Sequence, residues 1–161
     1  MSTLSPLILA KVREQAQRVE DLIGLIPPNK LDWRPELLAP GAFSVRELRA
    51  HLLECLAGFC AALYALHPEQ LAHFQQLRGR TAAVGIREYT ARIEEGFALV
   101  TDDDLARSIP TAFVPGGEPM LTILLGNLEH LINHKHQLFF YLKLLGVAVA
   151  TRDLYQLRGS G

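Results

Sequence analysis

Long hydrophobic runs, an excess of positive charge and cysteine-rich motifs are all missing from this sequence of 161 residues. No uncharged stretch reaches the roughly 18 apolar residues of a membrane-spanning helix, so we expect no membrane partner. The 16 Lys and Arg residues are balanced by 17 Asp and Glu residues. Because proteins that bind the nucleic-acid backbone need a basic face, this balance gives no reason to expect a nucleic-acid partner.

The only two cysteines, Cys55 and Cys60, fall on one predicted helix and on different faces of it. They cannot easily form a disulfide with each other, which agrees with a reducing compartment. Residues 1–15 carry a short apolar run with no basic region before it, unlike a signal peptide. These features predict a cytoplasmic protein.

Hydrophobic residues make up 49% of the chain, and their spacing follows the helical period in four long segments. Ser5 and Pro6 fit the N-cap and first position of a helix, and the prolines at positions 27 and 28 end it. The sequence 44-SVRE-47 has the pattern of a capping box and opens a second helix. The four predicted helices span about Ser5–Ile26, Ser44–Leu66, Ile86–Val100 and Pro119–Leu145.

The segments between these helices are long and contain most of the helix-breaking residues. Residues 31–43 form a connector with two prolines and a glycine, and residues 68–77 fit a short extra helix. Residues 101–120 contain three prolines and a Gly-Gly pair, a composition compatible with a short hairpin. Without a convincing sheet, the pattern predicts an all-α fold, an up-and-down four-helix bundle with a short extra helix and long connecting loops.

One narrow polar stripe crosses the otherwise apolar last helix. On a helical wheel it is formed by Asn127, His130, His134, Gln137 and Tyr141, each three or four residues from the next. His130 and His134 would have Cβ atoms about 5–6 Å apart, so that two imidazoles can reach one cation. The stripe lies beside a large apolar surface, which is the arrangement of a metal site inside a helical bundle.

The alternative is that these histidines are core or interface residues whose ring nitrogens bond to neighbouring groups. The spacing differs from that of the HExxH zinc proteases, because 131-LIN-133 separates the pair without a glutamate. His136 points away from the stripe. His51 lies at the edge of the apolar stripe of the second helix, and it is the candidate third ligand.

Other polar residues on and after the second helix have two interpretations each. Glu47 and Glu54 lie one turn before and after the candidate ligand, where they could orient imidazoles, move protons or simply face solvent. Cys55 could ligate a soft metal, although a buried small hydrophobic residue is the favoured interpretation. His67 and His73 are expected to cap helices or face solvent.

Three segments, in order and at compatible spacing, resemble the DinB-like (YfiT-like) superfamily of bacterial proteins. They are 33-WRP-35, 43-FSVRELRAHLLE-54 and 130-HLINHKHQLFFYLKLLG-146. In the family, the last segment usually carries an HxxxH pair, a tetrad HRGQ and an LRLLG end. Here the tetrad reads 134-HKHQ-137 and the end reads 142-LKLLG-146. The two changed tetrad positions are not those expected to bind metal.

The resemblance implies a single DinB-like four-helix-bundle domain over residues 1–161, often dimeric, with a divalent metal ion, typically zinc or nickel. The metal ligands it implies are His51, His130 and His134. Relatives of known chemistry use low-molecular-weight thiols, so the leading hypothesis is a metal-dependent thiol transferase or isomerase acting on a small molecule. A metal-dependent hydrolase and a non-enzymatic metal or small-molecule binder are the alternatives. Residues expected to position substrate or the imidazoles are Asn127, Gln137, Tyr141, Glu47 and Glu54.

The far side of the last helix also predicts assembly. It carries apolar residues that one bundle interior is not expected to cover, so we expect a homodimer that uses part of this face. The face comprises Leu121, Leu125, Leu128, Ile132 and Phe139.

Overall fold

Helices make up most of the chain in the computed structural model, which describes residues 4–36, 41–72, 85–112 and 114–155. The elements in chain order are α1 (Leu4–Gly24), a 3-10 helix (Pro28–Lys30), α2 (Val45–Leu63), α3 (Ile86–Leu99), α4 (Asp102–Leu105), β1 (Ser108–Ile109), β2 (Glu118–Pro119), α5 (Met120–Leu144) and α6 (Thr151–Leu154). The all-α fold predicted from the sequence is confirmed. Within these described ranges, no helix is long and apolar enough to span a membrane.

The four long helices, α1, α2, α3 and α5, pack into the predicted four-helix bundle. α2 packs against α3 on one side and α5 on the other, and α1 contacts the same two helices. Because α1 and α2 touch each other little, these consecutive helices lie diagonally and a long connector joins them. α2 and α5 share an extensive interface, where side chains of both helices can meet.

α2 begins with the capping box that the sequence predicts. Ser44 Oγ accepts a hydrogen bond from the Glu47 backbone N–H at 3.2 Å, and Glu47 Oε2 accepts one from the Ser44 N–H at 2.7 Å. The connector is tied to the same turn, because the Trp33 carbonyl accepts a bond of 3.0 Å from the Val45 N–H. These bonds fix where α2 starts and hence which of its residues face α5.

The loop before α5 contains the short hairpin expected from its composition. β1 and β2 are antiparallel, with Ser108 opposite Pro119 and Ile109 opposite Glu118. Gly117 has a φ of 91°, and a Cβ atom there would lie 2.3 Å from Ser108 Oγ, so this turn favours glycine on both counts. β2 runs directly into α5, which fixes the first residue of that helix.

α5 ends at a glycine, as predicted. Gly146 has a φ of 77°. Its N–H donates to Lys143 O at 3.0 Å, and the Val147 N–H donates to Leu142 O at 2.9 Å. This is the Schellman arrangement, which satisfies the last carbonyls of a helix. The chain then turns back so that α6 packs against α1 and α5.

Some helix boundaries differ from those predicted. α1 includes the residue before Ser5, so Ser5 is a buried helical residue instead of the N-cap. α2 ends at Leu63 instead of Leu66. Residues 68–72 are helical, which agrees with the start of the predicted extra helix, while His73 and the rest of that segment lie outside the described residues.

One residue of the predicted outer face of α5 is buried. Phe139 is 5% exposed and packs in the core, because it lies three residues before the fully buried Leu142 on the inward side of the helix. Its neighbour Phe140 is 60% exposed instead, and Leu125 is 47% exposed as expected. The other three members of the face, which are half-buried, are Leu121, Leu128 and Ile132.

Candidate metal centre

Three histidines from two helices meet at the α2–α5 interface. His51 comes from α2, and His130 and His134 come from successive turns of α5. One ring nitrogen from each lies within 4.8 Å of the other two, and the ring centroids are 4.3 to 5.1 Å apart. The structure therefore brings the three predicted imidazoles close enough together to hold one metal ion. We call this group the three-histidine cluster.

The closest approach within the cluster joins His51 Nε2 and His130 Nε2, which are 3.0 Å apart. This is a hydrogen-bonding distance, so one ring donates its N–H to the unprotonated nitrogen of the other. His130 is exposed, whereas His51 and His134 are half-buried. The cluster is therefore reachable from solvent on the side of His130.

A chain of hydrogen bonds behind His134 determines which of its nitrogens faces the cluster. The Phe43 carbonyl can only accept, so Tyr141 Oη donates to it at 3.0 Å. The Tyr141 oxygen then accepts from Gln137 Nε2 at 3.1 Å, which leaves Gln137 Oε1 to accept from His134 Nδ1 at 2.8 Å. With the proton on Nδ1, neutral His134 keeps the lone pair of Nε2 for a metal ion.

Aromatic rings flank the cluster and the hydrogen-bond chain. The Phe43 ring lies 5.0 Å from the His51 ring and 5.9 Å from the His134 ring, measured between centroids. Trp33 packs edge-on against Tyr141 at 5.5 Å, and Tyr141 is 2% exposed. Packing of this kind restricts the positions that the imidazoles and their hydrogen-bond partners can adopt.

The sequence did not predict that Phe43 and Trp33 flank the cluster and its hydrogen-bond chain. The two residues were noted there only as parts of the motifs that resemble the DinB-like superfamily. The signal that could have identified Phe43 is its position directly before the capping box of the helix that carries His51. A residue at that position packs back onto its own helix, near the first turns. Trp33 is joined to the same turn by its backbone bond to Val45.

The surroundings of the cluster favour the neutral forms of His51 and His130. Burial is the largest cause that lowers the pKa of His51, and the two other imidazoles lower it further. The negative charge of Glu54 acts on His51 in the opposite direction. Burial, followed by the charge of His134, also lowers the pKa of His130. Because a metal ion binds only unprotonated imidazole, these shifts favour metal binding near neutral pH.

Asn127 lies one turn before His130 and packs across the interface between α2 and α5. A Cβ atom at Gly58 of α2 would lie 3.2 Å from Asn127 Oδ1. That contact is tighter than an ordinary van der Waals contact, so the glycine leaves room for the amide. The structure thus places Asn127 on the same helix face as the two histidines of α5, as predicted.

Glu47 is engaged at the start of α2. One carboxylate oxygen accepts from the Ser44 N–H, and the other accepts from Arg34 at 2.9 Å. The bond from the Ser44 backbone is the largest cause that lowers the pKa of Glu47. These contacts of Glu47 therefore stabilise the start of the helix that carries His51.

The two cysteines are buried thiols. Cys55 is 7% exposed and Cys60 is fully buried, and burial raises the pKa of each to about 12. A thiol with such a pKa is almost entirely protonated at neutral pH and reacts poorly as a nucleophile. The structure agrees with the interpretation of Cys55 as a small hydrophobic core residue.

His136 turns away from the three-histidine cluster, as predicted. Its Nδ1 donates to the Ile132 carbonyl at 2.9 Å, and its Nε2 lies 3.2 Å from Tyr155 Oη, which donates to it. His67 follows the end of α2, with Nδ1 3.9 Å from a Glu69 carboxylate oxygen. Both histidines thus have partners of their own outside the cluster.

Comparisons with known proteins bear on the fold. No family model and no curated protein matches the sequence. The structure is similar to the crystal structure of YjoA, a DinB-like protein of Bacillus subtilis, with a TM-score of 0.65, 21% identity and coverage of 88% of this chain and 93% of that one. It is also similar to a DinB family member of Exiguobacterium sibiricum 255-15, with a TM-score of 0.61, 25% identity and coverage of 96% and 99%.

Proposed function

This chain has the fold of the DinB-like superfamily, and on that premise we propose that it binds a divalent metal ion through His51, His130 and His134. The observation that carries the proposal is the convergence of one ring nitrogen from each histidine to within 4.8 Å of the others. Imidazole nitrogen suits zinc and nickel, and these are the two ions that we propose.

The donor set fits such an ion. Three imidazoles meet the ligand count of a catalytic zinc site. The chain from Phe43 through Tyr141 and Gln137 leaves Nε2 of His134 unprotonated. His51, His130 and His134 would hold the divalent ion, which would lower the pKa of a thiol that binds to it.

We propose that the protein uses this site for S-transfer or isomerisation with a low-molecular-weight thiol. The chain offers no reactive thiol of its own, because burial raises the pKa of Cys55 and of Cys60 to about 12. A nucleophilic sulfur would therefore come from a diffusible cofactor, for which the exposed side of His130 leaves access. A reducing cytoplasm, which keeps such thiols reduced, is the proposed location.

The protein's own residues would position the reactants. Gln137 holds His134 in one orientation, and Phe43 gives the cluster an apolar neighbour that excludes water. Asn127, one turn before His130, offers an amide to a polar group of the thiol or the substrate. The charge of Glu54 stabilises positive charge on His51, so that Glu54 would assist when a proton passes through that ring.

We also propose that two copies associate through the outer face of α5. Leu125 is 47% exposed there, and the half-buried Leu121, Leu128 and Ile132 extend the same apolar surface. Burial of such a face against its symmetry mate is a common way to form a homodimer. Light scattering at micromolar concentration would give the mass of a dimer, and Leu125→Glu would convert it to that of a monomer.

One experiment tests the metal and thiol proposals in sequence. Chelator-treated protein is reloaded with zinc or nickel, and elemental analysis gives the metal content of wild type, His51→Ala and the double variant His130→Ala/His134→Ala. His67→Ala serves as the matched control, because His67 lies outside the cluster. We expect about one ion per chain in wild type and control, and loss of bound metal in the other two. Full metal content in the double variant would refute the ligand assignment.

The loaded protein is then incubated with glutathione, bacillithiol or mycothiol and a bimane electrophile. Conjugation above background that disappears in His51→Ala is expected for a thiol transferase. Metal-dependent hydrolysis of an ester or amide panel, without thiol binding, would replace this proposal with a hydrolase. Metal binding without either activity would indicate a non-enzymatic metal-binding protein.

A further inference from the structure

A cavity of about 750 Å³ lies beside the three-histidine cluster, between the connector after α1 and the second half of α5. None of the three histidines lines it, although Gln137 and Tyr141 form part of its wall and also belong to the hydrogen-bond chain behind His134. We call it the connector cavity. Its volume falls in the range of roughly 300–1,000 Å³ that small-molecule sites in proteins occupy.

The walls of the connector cavity are mainly apolar and aromatic. Trp33 and Pro35 line it from the connector, and Phe140, Tyr141 and Leu144 line it from α5. Phe140 and Leu144 are 60% and 65% exposed, so a ligand can bury surface that the chain itself leaves in contact with water. Aromatic rings from both sides favour a planar, unsaturated body in the ligand.

The polar groups of the cavity restrict the charge of the ligand. Asn133, His136 and Gln137 contribute hydrogen-bonding groups, and the exposed Glu36 contributes a carboxylate. Among the described residues that line the cavity, no lysine or arginine offsets this negative charge. A carboxylate next to aromatic rings favours a cationic ligand through two interactions. One is the ion pair with the carboxylate, and the other is the attraction of the cation to the electron-rich faces of the rings. The Glu36 carboxylate would repel an anionic ligand.

We propose that the connector cavity is a binding site for a small aromatic amine, with the aromatic body between Trp33 and Phe140 and the ammonium group directed to Glu36. A concave space that is lined by two separate segments suits a small molecule better than the flat face of a second protein. The lining contains none of the three clustered histidines, so a ligand here can bind without the metal ion. Failure of the proposed metal function would therefore leave this proposal intact.

The chain contains a single tryptophan, and that residue lines the cavity, so its fluorescence reports occupancy directly. Three probes of one shape are titrated into chelator-treated protein: para-tert-butylbenzylamine, the matching benzyl alcohol and the matching benzoate. All three absorb little light at the red edge of tryptophan absorption. We expect saturable changes in Trp33 emission, with the amine binding about two- to fivefold more tightly than the alcohol and the benzoate most weakly.

Two variants separate the charge from the apolar walls. Glu36→Gln should remove the advantage of the amine over the alcohol while the alcohol still binds. Phe140→Ala should weaken the amine and the alcohol by at least about threefold, because it removes an aromatic wall. Both residues are exposed, so these variants should fold, which circular dichroism checks. Leu7→Ala is the matched control, because Leu7 is 67% exposed on α1 and lies outside the cavity.

Three results would overturn the proposal. The first is the absence of saturable binding by any of the three probes. The second is equal affinity for the amine and the benzoate, which would contradict the assigned charge. The third is a change of Trp33 emission with protein concentration that parallels dimer formation, together with loss of probe binding in the dimer. That result would show that a second copy of the chain covers the cavity.

Discussion

His134 Nδ1 donates a 2.8 Å hydrogen bond to Gln137 Oε1, and this bond determines which nitrogen of His134 faces the other two imidazoles. Gln137 can accept in this orientation because its amide nitrogen is used to donate to Tyr141. The orientation of one candidate ligand is therefore set by a residue one turn further along the same helix. Variants of Gln137 test whether this arrangement governs metal affinity.

Replacement of Gln137 by leucine removes the acceptor for His134 Nδ1 at nearly the same volume. We expect zinc affinity, measured by competition with a chromophoric chelator, to fall about 10- to 100-fold, as it does when such supporting bonds are lost in other metal sites. Gln137→Glu should restore much of the affinity, because a carboxylate oxygen accepts the same bond. Gln17→Leu, on the exposed side of α1, is the control. Wild-type affinity in Gln137→Leu would contradict the proposed role.

The Tyr141 hydroxyl ends the same hydrogen-bond chain on the Phe43 carbonyl. Tyr141→Phe removes the described hydrogen-bond partner of that carbonyl and of the Gln137 amide nitrogen. We expect the free energy of unfolding to fall by about 1–3 kcal/mol, measured by urea denaturation. Tyr155→Phe, which removes a hydroxyl from a residue that is 40% exposed, should cost clearly less. Equal losses of unfolding free energy in the two variants would show that the bond to the Phe43 carbonyl stabilises the fold no more than the Tyr155 hydroxyl does.

The histidine pKa values predict a pH dependence for the metal-free protein. Folding lowers the pKa of His51 and His130 below the ordinary value of 6.5, mainly through burial. As the pH falls through 6.5, the unfolded chain therefore takes up protons before the folded one, and the free energy of unfolding decreases. The decrease should continue until the pH passes below the lowered folded values.

Urea unfolding at a series of pH values between neutrality and about pH 5 measures this dependence. The double variant His51→Ala/His130→Ala should show a flatter profile, because the two shifted groups are absent. Leu7→Ala, at an exposed position of α1 that has no titratable group, should keep the slope of the wild type. A double variant with an unchanged slope would assign the acid sensitivity to other groups.

Local sequence signals predicted the elements that carry the site. The capping box at Ser44 fixed the start of α2, and the spacing of His130 and His134 predicted a pair of imidazoles on one face. Gly146 marked the end of α5. These signals are reliable because each depends on residues within one or two helical turns of one another.

Contacts between distant segments could not be predicted from local sequence signals. The bond from Tyr141 to the Phe43 carbonyl joins residues 98 positions apart, and nothing local to either residue indicates the other. The burial of Phe139, which was predicted to lie on the outer face of α5, has a related cause. α5 is apolar over most of its circumference, so the sequence does not show which of two adjacent phenylalanines faces inward.

Lys135 was assigned no function from the sequence, yet it is fully buried between α1, α5 and α6. Its Nζ donates to Gln15 Oε1 at 2.5 Å and to the Leu154 carbonyl at 2.7 Å, and it lies 5.3 Å from the centre of the Tyr155 ring. The side chain therefore links α6 to the bundle, on the opposite side of α5 from His134's hydrogen-bond chain.

Lys135→Met keeps the length of the side chain but leaves Gln15 and the Leu154 carbonyl without their donor. A buried acceptor that loses its hydrogen-bond partner is costly, so α6 should separate from the bundle more often. We expect backbone amides of α6 to exchange with solvent at least about tenfold faster, measured by hydrogen–deuterium exchange. Zinc affinity should change little, because Lys135 contacts none of the clustered imidazoles in its described bonds.

Lys143→Met, at an exposed position of the same helix, is the control and should leave the exchange of α6 unchanged. Unaltered exchange of α6 in Lys135→Met would show that apolar contacts of Leu154, which is 7% exposed, hold the segment without the lysine.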